Sequence, residues 1–128
     1  MFNKQKISVV IPAYNEALSI YQVISSLLQL ENSDGSKIID ELIVCDNNST
    51  DKTATIAKKA GATVVHQTTQ GYGIACLTAL NAIQNANIII FVDADGSVNS
   101  HEILHLLGAI NQGYDLVIGS RTLGQCAK

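Results

Sequence analysis

Two aspartates separated by one residue, Asp93 and Asp95, are the side chains of this sequence best suited to chemistry. They follow the apolar, β-branched run 88–92 and precede Gly96. A run of this length and composition predicts a strand buried on both faces, with the carboxylates at its carboxyl end. If the strand geometry continues for one more step, both carboxylates project the same way, as shared ligands of a hard divalent cation would need to. The pattern indicates a cation site that could carry phosphates.

Polar clusters also follow two other predicted strands. The apolar run 7–11 leads to Tyr14 and Glu16, and the run 41–45 leads to Asp46. In a doubly wound parallel sheet the carboxyl ends of such strands lie along one edge, and ligands bind there near the topological switch point. Asp46 could accept hydrogen bonds from a base or ribose, while Tyr14 and Glu16 could hold a base by stacking and hydrogen bonding. A bound nucleotide would fit this edge.

Strand and helix patterns alternate along the chain. This alternation predicts right-handed βαβ crossovers and an α/β fold, a three-layer α/β/α sandwich with a mostly parallel, doubly wound sheet. Strands are predicted at 7–11, 41–45, 63–66, 88–92 and 115–118, and helices at 20–28, 53–60 and 74–86. A fourth helix is predicted from the cap-like pair Asn99 and Glu102 and from the apolar positions that follow within 103–110.

Several residues are expected to mark the ends of these elements. Pro12, the only proline, is predicted to stop the first strand because it has no N–H to donate. Ser19 with Gln22 forms a capping-box pattern before the first helix. Thr50 and Asp51 are expected to cap the second helix.

Composition and charge limit the class of protein. With 128 residues, 47% hydrophobic content and a mean hydropathy of +0.21, the chain is expected to be one globular domain or part of one. Eight basic against 11 acidic residues give a net charge of -3, which argues against a nucleic-acid partner. Three cysteines without CxxC spacing favour reduced thiols, a cytoplasmic setting and a core position for Cys45. No apolar run reaches the length of about 18 residues needed to cross a bilayer.

Four motifs together resemble the nucleotide-sugar half of a family 2 glycosyltransferase. They are Val-Ile-Pro-Ala-Tyr-Asn-Glu at 10–16, Asp-Asn-Asn-Ser-Thr-Asp-Lys-Thr at 46–53, Asp-Ala-Asp at 93–95 and Gly-Ser-Arg at 119–121. Each motif alone is weak, but the order and spacing of all four match the family. Gln-Gly-Tyr-Gly at 70–73, together with Asp-Ala-Asp followed by glycine, is most similar to the polyprenyl-phosphate (dolichyl-phosphate) hexosyltransferase branch.

The resemblance implies a GT-A fold and an inverting transfer of a hexose from UDP-glucose or GDP-mannose to a polyprenyl phosphate, as in cell-envelope glycan biosynthesis. It implies that Asp93 and Asp95 hold Mg²⁺ or Mn²⁺ against the diphosphate, and that Arg121 lies beside the phosphates or the sugar. An anionic acceptor needs no strong general base, which agrees with the lack of an obvious His–carboxylate pair in the sequence. The implied donor-binding residues are Pro12, Ala13, Tyr14, Glu16, Asp46, Asn48, Gly71, Asp93 and Ala94.

The chain departs from the family pattern in two places. Ser97 stands where related enzymes often have a glutamine as an additional metal ligand, so either weaker metal binding or a water in place of that ligand is expected. The chain also ends at Lys128, whereas family members continue into an acceptor-binding half. The chain is therefore expected to be an incomplete donor-binding domain, 1–128, that binds donor without transferring it. Its last strand could drive homo-oligomerisation, and a full-length parent is expected in the cytoplasm or at the cytoplasmic membrane face.

Other interpretations of the same residues remain open. Asp93 and Asp95 could only cap a turn, Tyr72 is expected to be a packing residue, and Arg121 could equally pair with a nearby acid. A catalytically silent nucleotide-binding or interaction module is the alternative function. A sugar nucleotidyltransferase is less favoured, because no glycine-rich loop with a basic residue follows the first strand.

Overall fold

The computed structural model describes residues 1–111, in which strands and helices alternate. The predicted strand 115–118 and Arg121 lie outside the described residues. No helix within 1–111 is long and apolar enough to cross a membrane. The elements are β1 (Ile7–Ala13), α1 (Ile20–Leu28), β2 (Glu41–Asp46), α2 (Thr53–Ala60), β3 (Thr63–His66), α3 (Tyr72–Asn81), β4 (Ile88–Phe91) and α4 (Ser100–Asn111).

The chain divides into two compact units, Met1–Gly96 and Ser97–Lys128. The first unit contains a parallel sheet with the strand order β3-β2-β1-β4. The chain moves outward from β1 to β3 and then returns to β4 on the other side of β1. Because βαβ crossovers are right-handed, this reversal puts α1 and α2 on one face of the sheet and α3 on the other. The predicted doubly wound, three-layer arrangement is confirmed, and its switch point lies between β1 and β4.

The core of the first unit lies on both faces of β1 and β2. On one face, Val10, Ile43 and Cys45 pack against Ala75 and Ala79 of α3, whose small side chains let the helix approach closely. The predicted core position of Cys45 is thus confirmed. The residues that alternate with these along β1 and β2 are also buried, and they point to the opposite face: Val9, Ile11, Leu42 and Val44.

The sequence predicted that Pro12 stops the first strand, and this prediction is wrong. Strand β1 continues to Ala13, with Pro12 paired to Cys45 and Ala13 to Asp46 of β2. The ladder with β4 ends earlier, at the pair Val10–Phe91. A proline is tolerated here because only the β2 side of the strand is still paired at that point.

The prediction that the fourth strand is buried on both faces is wrong. Ile88 and Ile90 are buried, but Ile89 and Phe91 are 40% and 49% exposed. Strand β4 lies at an edge of the described sheet, whereas α3 packs over β1 and β2. The strand also ends at Phe91, so the extended geometry assumed for the following aspartates is not present.

Helix α3 begins earlier in the chain than predicted, whereas α4 begins where its cap was predicted. Helix α3 spans Tyr72–Asn81 rather than 74–86, and the backbone N–H of Gln84 beyond it donates to the Glu41 carboxylate at 3.2 Å. Helix α4, in the described part of the second unit, begins at Ser100. Asn99 Oδ1 accepts a hydrogen bond from His101 N at 2.8 Å, so Asn99 caps this helix as predicted.

Candidate functional site

The loops after β1, β2 and β4 lie along the carboxyl edge of the sheet, since all three strands are parallel and adjacent. The loop after β1 is in direct contact with both of the others. Asn15 N donates to Ser49 Oγ at 2.9 Å, and Ser19 Oγ donates to the Ala94 carbonyl at 2.7 Å. The structure therefore brings together the three polar clusters that the sequence placed at one edge.

Asn15 joins the β1–α1 loop to the β2–α2 loop. Its Oδ1 accepts from Thr50 N at 2.8 Å and lies 3.2 Å from Thr50 Oγ1, while its own N–H donates to Ser49. Asn15 has φ of 51° and Asn48 has φ of 65°, a left-handed conformation that asparagine tolerates better than most residues. Thr50 was expected to cap α2, but it does not, because its backbone N–H and its hydroxyl both face Asn15 Oδ1.

Asp51 makes a second bridge between the same two loops. Its carboxylate accepts from Thr53 N at 3.0 Å and from Ala17 N at 3.2 Å, and also accepts from the Thr53 hydroxyl. The hydrogen bond from the Thr53 side chain is the main cause that holds the Asp51 pKa below its ordinary value. Asp51 thus satisfies an N–H at the start of α2, as predicted, although Lys52 is the residue before the helix.

Ser19 was predicted to cap the first helix through its side chain, and this prediction is wrong. Ser19 precedes α1 but makes no side-chain cap bond. Its hydroxyl, which donates to Ala94, lies 3.2 Å from Glu16 Oε2, and Ile20 N donates to the Glu16 carbonyl at 2.9 Å. Ser19 thereby ties the aspartate-bearing turn to α1, a contact across 75 residues that no local pattern indicates.

Asp46 is buried at the end of β2. Its Oδ1 accepts from Ser49 N at 3.1 Å, and its Oδ2 lies 3.5 Å from His66 Nδ1. The structure thus contains a His–carboxylate pair that was not evident in the sequence, although both residues end adjacent strands. Because β1 separates β2 from β4, and His66 lies one strand farther out on β3, the pair is at least two strand spacings, about 10 Å, from the β4 end.

Asp93 and Asp95 flank the buried Ala94 in a turn that ends at Gly96, where φ is 81°. Val92 N donates to the Val10 carbonyl at 3.0 Å and so fixes the turn to β1. Within residues 1–111 no group of three or more His, Cys, Asp or Glu side chains is placed to hold a metal. Two carboxylates nevertheless suit Mg²⁺ or Mn²⁺, because such ions are commonly bound by one or two carboxylates together with substrate phosphates.

Tyr72 is not the packing residue that the sequence suggested. It is 61% exposed, and its hydroxyl lies beside the Cys76 thiol and the Asp93 carboxylate. Burial of the hydroxyl, and then these two neighbours, raise the Tyr72 pKa to about 12. Burial also raises the pKa of Cys76, and it raises that of Cys45 to about 11. Both thiols are therefore protonated at neutral pH, which makes them poor nucleophiles and metal ligands.

The other residues predicted to bind donor occupy the same edge. Pro12 and Ala13 form the end of β1, Tyr14 and Asn48 are exposed, and Glu16 is half-buried. Gly71, just before α3, has φ of 152° and donates its N–H to Asn47 Oδ1 at 2.9 Å. Asn47 was not predicted to act at the site, yet it joins the β2–α2 loop to the start of α3. Arg121 lies outside the described residues.

Comparisons with known proteins agree with this geometry. A dolichyl-phosphate hexose transferase from Haloferax volcanii is 32% identical over 115 residues, which are 90% of this chain and 47% of that protein. A glycosyltransferase named AglJ from the same organism is 34% identical over 90% of this chain and 36% of its own length. The chain thus spans about half or less of the length of these two relatives.

Solved structures show the same architecture. Glucosyl-3-phosphoglycerate synthase from Mycobacterium tuberculosis matches with a TM-score of 0.74 and 34% identity, over 89% of this chain and 43% of that one. A complex of that enzyme with Mn²⁺, UDP-glucose and phosphoglyceric acid matches with a TM-score of 0.72 and 33% identity, over 89% of this chain and 42% of that one. These neighbours are GT-A glycosyltransferases, so the implied fold is confirmed.

The sequence profile of Glycosyl transferase family 2 matches residues 8–127, nearly the whole chain. Three of the four motifs that first suggested this family, at 10–16, 46–53 and 93–95, lie along the carboxyl edge of the sheet, and the fourth, at 119–121, lies outside the described residues. The chain belongs to glycosyl transferase family 2.

Proposed function

We propose that this chain is the donor-binding part of a metal-dependent, inverting glycosyltransferase that moves a hexose from UDP-glucose or GDP-mannose to a polyprenyl phosphate. The observation that carries the proposal is the convergence of three loops at the switch point of the sheet. The β1–α1 loop is bonded both to the loop bearing Asp46 and to the turn bearing Asp93 and Asp95. One ligand with a base at one end and a diphosphate at the other would span this edge.

The base and ribose are proposed to lie over the ends of β1 and β2. Asp46 would accept hydrogen bonds there, and the exposed ring of Tyr14 offers a stacking surface. The hydrogen bonds of Asn15 and Asp51 fix the two loops before any ligand arrives. A site ordered in advance loses less conformational entropy on binding, which favours affinity.

The diphosphate is proposed to lie at the turn after β4. Asp93 and Asp95 would hold Mg²⁺ or Mn²⁺ there, and the ion would neutralise charge on the leaving diphosphate. Arg121 is proposed to contact the phosphates or the sugar. In the transfer itself, an acceptor oxygen forms a bond to the anomeric carbon while the bond from that carbon to the diphosphate oxygen breaks, which inverts the configuration.

The acceptor is proposed to be a lipid phosphate. Support comes from the Haloferax relative, whose name specifies dolichyl phosphate, and from the Gln-Gly-Tyr-Gly segment at 70–73. A phosphate oxygen is already anionic and needs no strong base to attack. This agrees with the position of the Asp46–His66 pair at β2 and β3, away from the β4 turn.

Calorimetric titration of the chain with UDP and with GDP, each with and without Mn²⁺, tests the donor site. We expect one nucleotide to bind, more tightly with Mn²⁺, and we expect Asp95→Ala to remove the effect of the metal. Binding that is identical with and without Mn²⁺ would support the silent nucleotide-binding module instead. Failure of the folded chain to bind either nucleotide would contradict donor binding by this chain.

The acceptor is tested in the longest form of the protein that is available, with the donor that the titration identifies. Transfer of labelled hexose to a polyprenyl phosphate in detergent is compared with transfer to phosphoglyceric acid, the molecule bound in the mycobacterial complex. Product with the lipid alone supports the proposal. Product with phosphoglyceric acid alone would assign a small phosphorylated acceptor, and release of free hexose only would contradict both.

A further inference from the structure

Asn47 is a buried polar residue in the β2–α2 loop, with only 6% of its surface exposed. Its backbone N–H donates to the Ala13 carbonyl at 2.8 Å, which continues the pairing of β2 with β1 by one residue. Its backbone is therefore anchored on the most central strands of the sheet. The side chain projects from that anchor towards the segment between β3 and α3.

The Asn47 side chain holds that segment at three points. Its Nδ2 donates to the carbonyls of Gln67 at 2.9 Å and Thr69 at 2.7 Å, and its Oδ1 accepts from Gly71 N at 2.9 Å. In addition, the Asn47 carbonyl accepts from Gln70 Nε2 at 2.8 Å. Both amide hydrogens are used within the protein, so the side chain has no N–H left to donate to a ligand.

The segment held in this way leads directly to Tyr72. Gly71 has φ of 152°, a conformation that residues with a side chain rarely adopt, and α3 begins at the next residue. The hydroxyl of Tyr72 then lies beside the Asp93 carboxylate. A chain of contacts thus runs from Asn47 through Gly71 and Tyr72 to Asp93, and it connects the β2 end of the site with the β4 end.

We propose that Asn47 is a positioning residue for the donor site: it fixes residues 67–71 so that the Tyr72 hydroxyl orients the Asp93 carboxylate. The inference rests on the proposed role of Asp93 in holding the metal and diphosphate. Asn47 acts through its neighbours and does not touch the nucleotide. Residues that orient a metal-binding side chain commonly change metal affinity by about 10- to 100-fold when they are altered.

The contacts require an asparagine rather than an aspartate. A carboxylate at position 47 would still accept from Gly71 N, but its second oxygen would face the carbonyl oxygens of Gln67 and Thr69. Two donated hydrogen bonds would become two repulsive contacts. Asn47→Asp is thus a nearly isosteric change that removes the two donated bonds and keeps the accepted one.

The test uses Asn47→Asp and Asn47→Ala, with Asn85→Asp as a control of equal charge change at an exposed asparagine. We expect the Mn²⁺-dependent nucleotide affinity to fall about tenfold in both Asn47 variants and to be unchanged in the control. Hydrogen exchange of the Gly71 amide should accelerate clearly in Asn47→Ala, which loses the acceptor. Urea unfolding identifies the conditions in which every variant is folded.

Tyr72→Phe separates positioning from a general structural effect. It should weaken Mn²⁺-dependent binding while leaving exchange of the Gly71 amide unchanged. If Asn47 acts through Tyr72, the double variant Asn47→Ala/Tyr72→Phe should bind no more weakly than Asn47→Ala alone, since the two changes interrupt one chain of contacts. If the affinity losses of the two single variants add up in the double variant, Asn47 does not act through Tyr72.

Two further results would overturn the inference. One is a folded Asn47→Asp protein with undiminished metal-dependent affinity, and the other is a Gly71 amide that exchanges at the same rate with and without the Asn47 side chain. If the unsubstituted chain binds neither nucleotide, the proposed donor binding fails, and with it the role of Asn47 in that site. The exchange measurement would still decide whether Asn47 holds the segment.

Discussion

The amino and carboxyl edges of the same sheet both carry acidic residues, but the contacts of these residues differ between the two edges. At the amino edge, Glu41 accepts a hydrogen bond from the buried Ser8 hydroxyl at 2.8 Å and from Gln84 N at 3.2 Å. At the carboxyl edge, Asp51 likewise joins two loops, whereas Asp93 lies beside the hydroxyl of Tyr72 and the thiol of Cys76. Residue type alone therefore does not separate a structural acid from one that is proposed to bind metal, but the neighbouring groups differ.

Lowered aspartate pKa values do not distinguish the two edges of the sheet, since one occurs at each edge. The pKa of Asp34, in the loop before β2, is lowered chiefly by a hydrogen bond from the Ser36 side chain. The pKa of Asp51, at the opposite edge, is lowered chiefly by the equivalent bond from Thr53. In both cases the cause is a hydroxyl two residues along the chain. A lowered aspartate pKa in this protein thus marks a local turn rather than a catalytic acid.

The largest expected effect comes from Asp93→Asn. This change keeps the size of the side chain but removes its charge, so the gain in nucleotide affinity due to Mn²⁺ should fall by about 100-fold, the upper end of what even indirect changes produce at metal sites. The stability to urea should be nearly unchanged. Calorimetry with Mn²⁺ and the nucleotide measures the effect, and Glu41→Gln, an equal charge change at the other edge, is the control. Equal losses in both variants would show that the edges do not differ in function.

Glu41→Ala should have the opposite effects: it should lower stability and leave nucleotide affinity unchanged. The buried Ser8 hydroxyl would lose its acceptor, so the free energy of unfolding should decrease by about 1–3 kcal/mol. Urea unfolding measures this, and Glu41→Gln should recover most of the loss because its amide oxygen still accepts. Adding Ser8→Ala to Glu41→Ala should also recover stability. Nucleotide affinity should stay the same, and a marked loss of affinity in the folded variant would contradict the division between the two edges.

The smallest expected effect is on acid stability. Because the folded-state pKa of Asp51 is lowered, its ionised form stabilises the fold at pH values above 3.8, its ordinary pKa, and that contribution is lost as pH falls through the folded-state pKa. Asp51→Asn should therefore reduce the dependence of unfolding free energy on pH in this range. Urea unfolding over a pH series measures it, with Asp34→Asn as the matched change at the other edge. A steeper dependence in Asp51→Asn would contradict the assigned sign.

Local patterns predicted the regular elements well where the determinants were themselves local. The bounds of α1, α2 and β3 agree with the structure. Gly61 ends α2 with φ of 110°, as a glycine after a helix commonly does. The fourth strand was predicted less well, because exposure of Ile89 and Phe91 depends on which strands and helices lie beside them.

The amino-acid sequence by itself determined the βαβ alternation, the polar clusters at the strand ends and the family, because hydrophobic periodicity and motif spacing are properties of neighbouring residues. Only the tertiary structure decided what these clusters contact. Ser19 meets Ala94, Asn47 meets Gly71, and Tyr72 meets Asp93, across 75, 24 and about 20 residues. A hydrogen bond depends on distance and angle in space, and separation along the chain fixes neither until the sheet has brought its strand ends together.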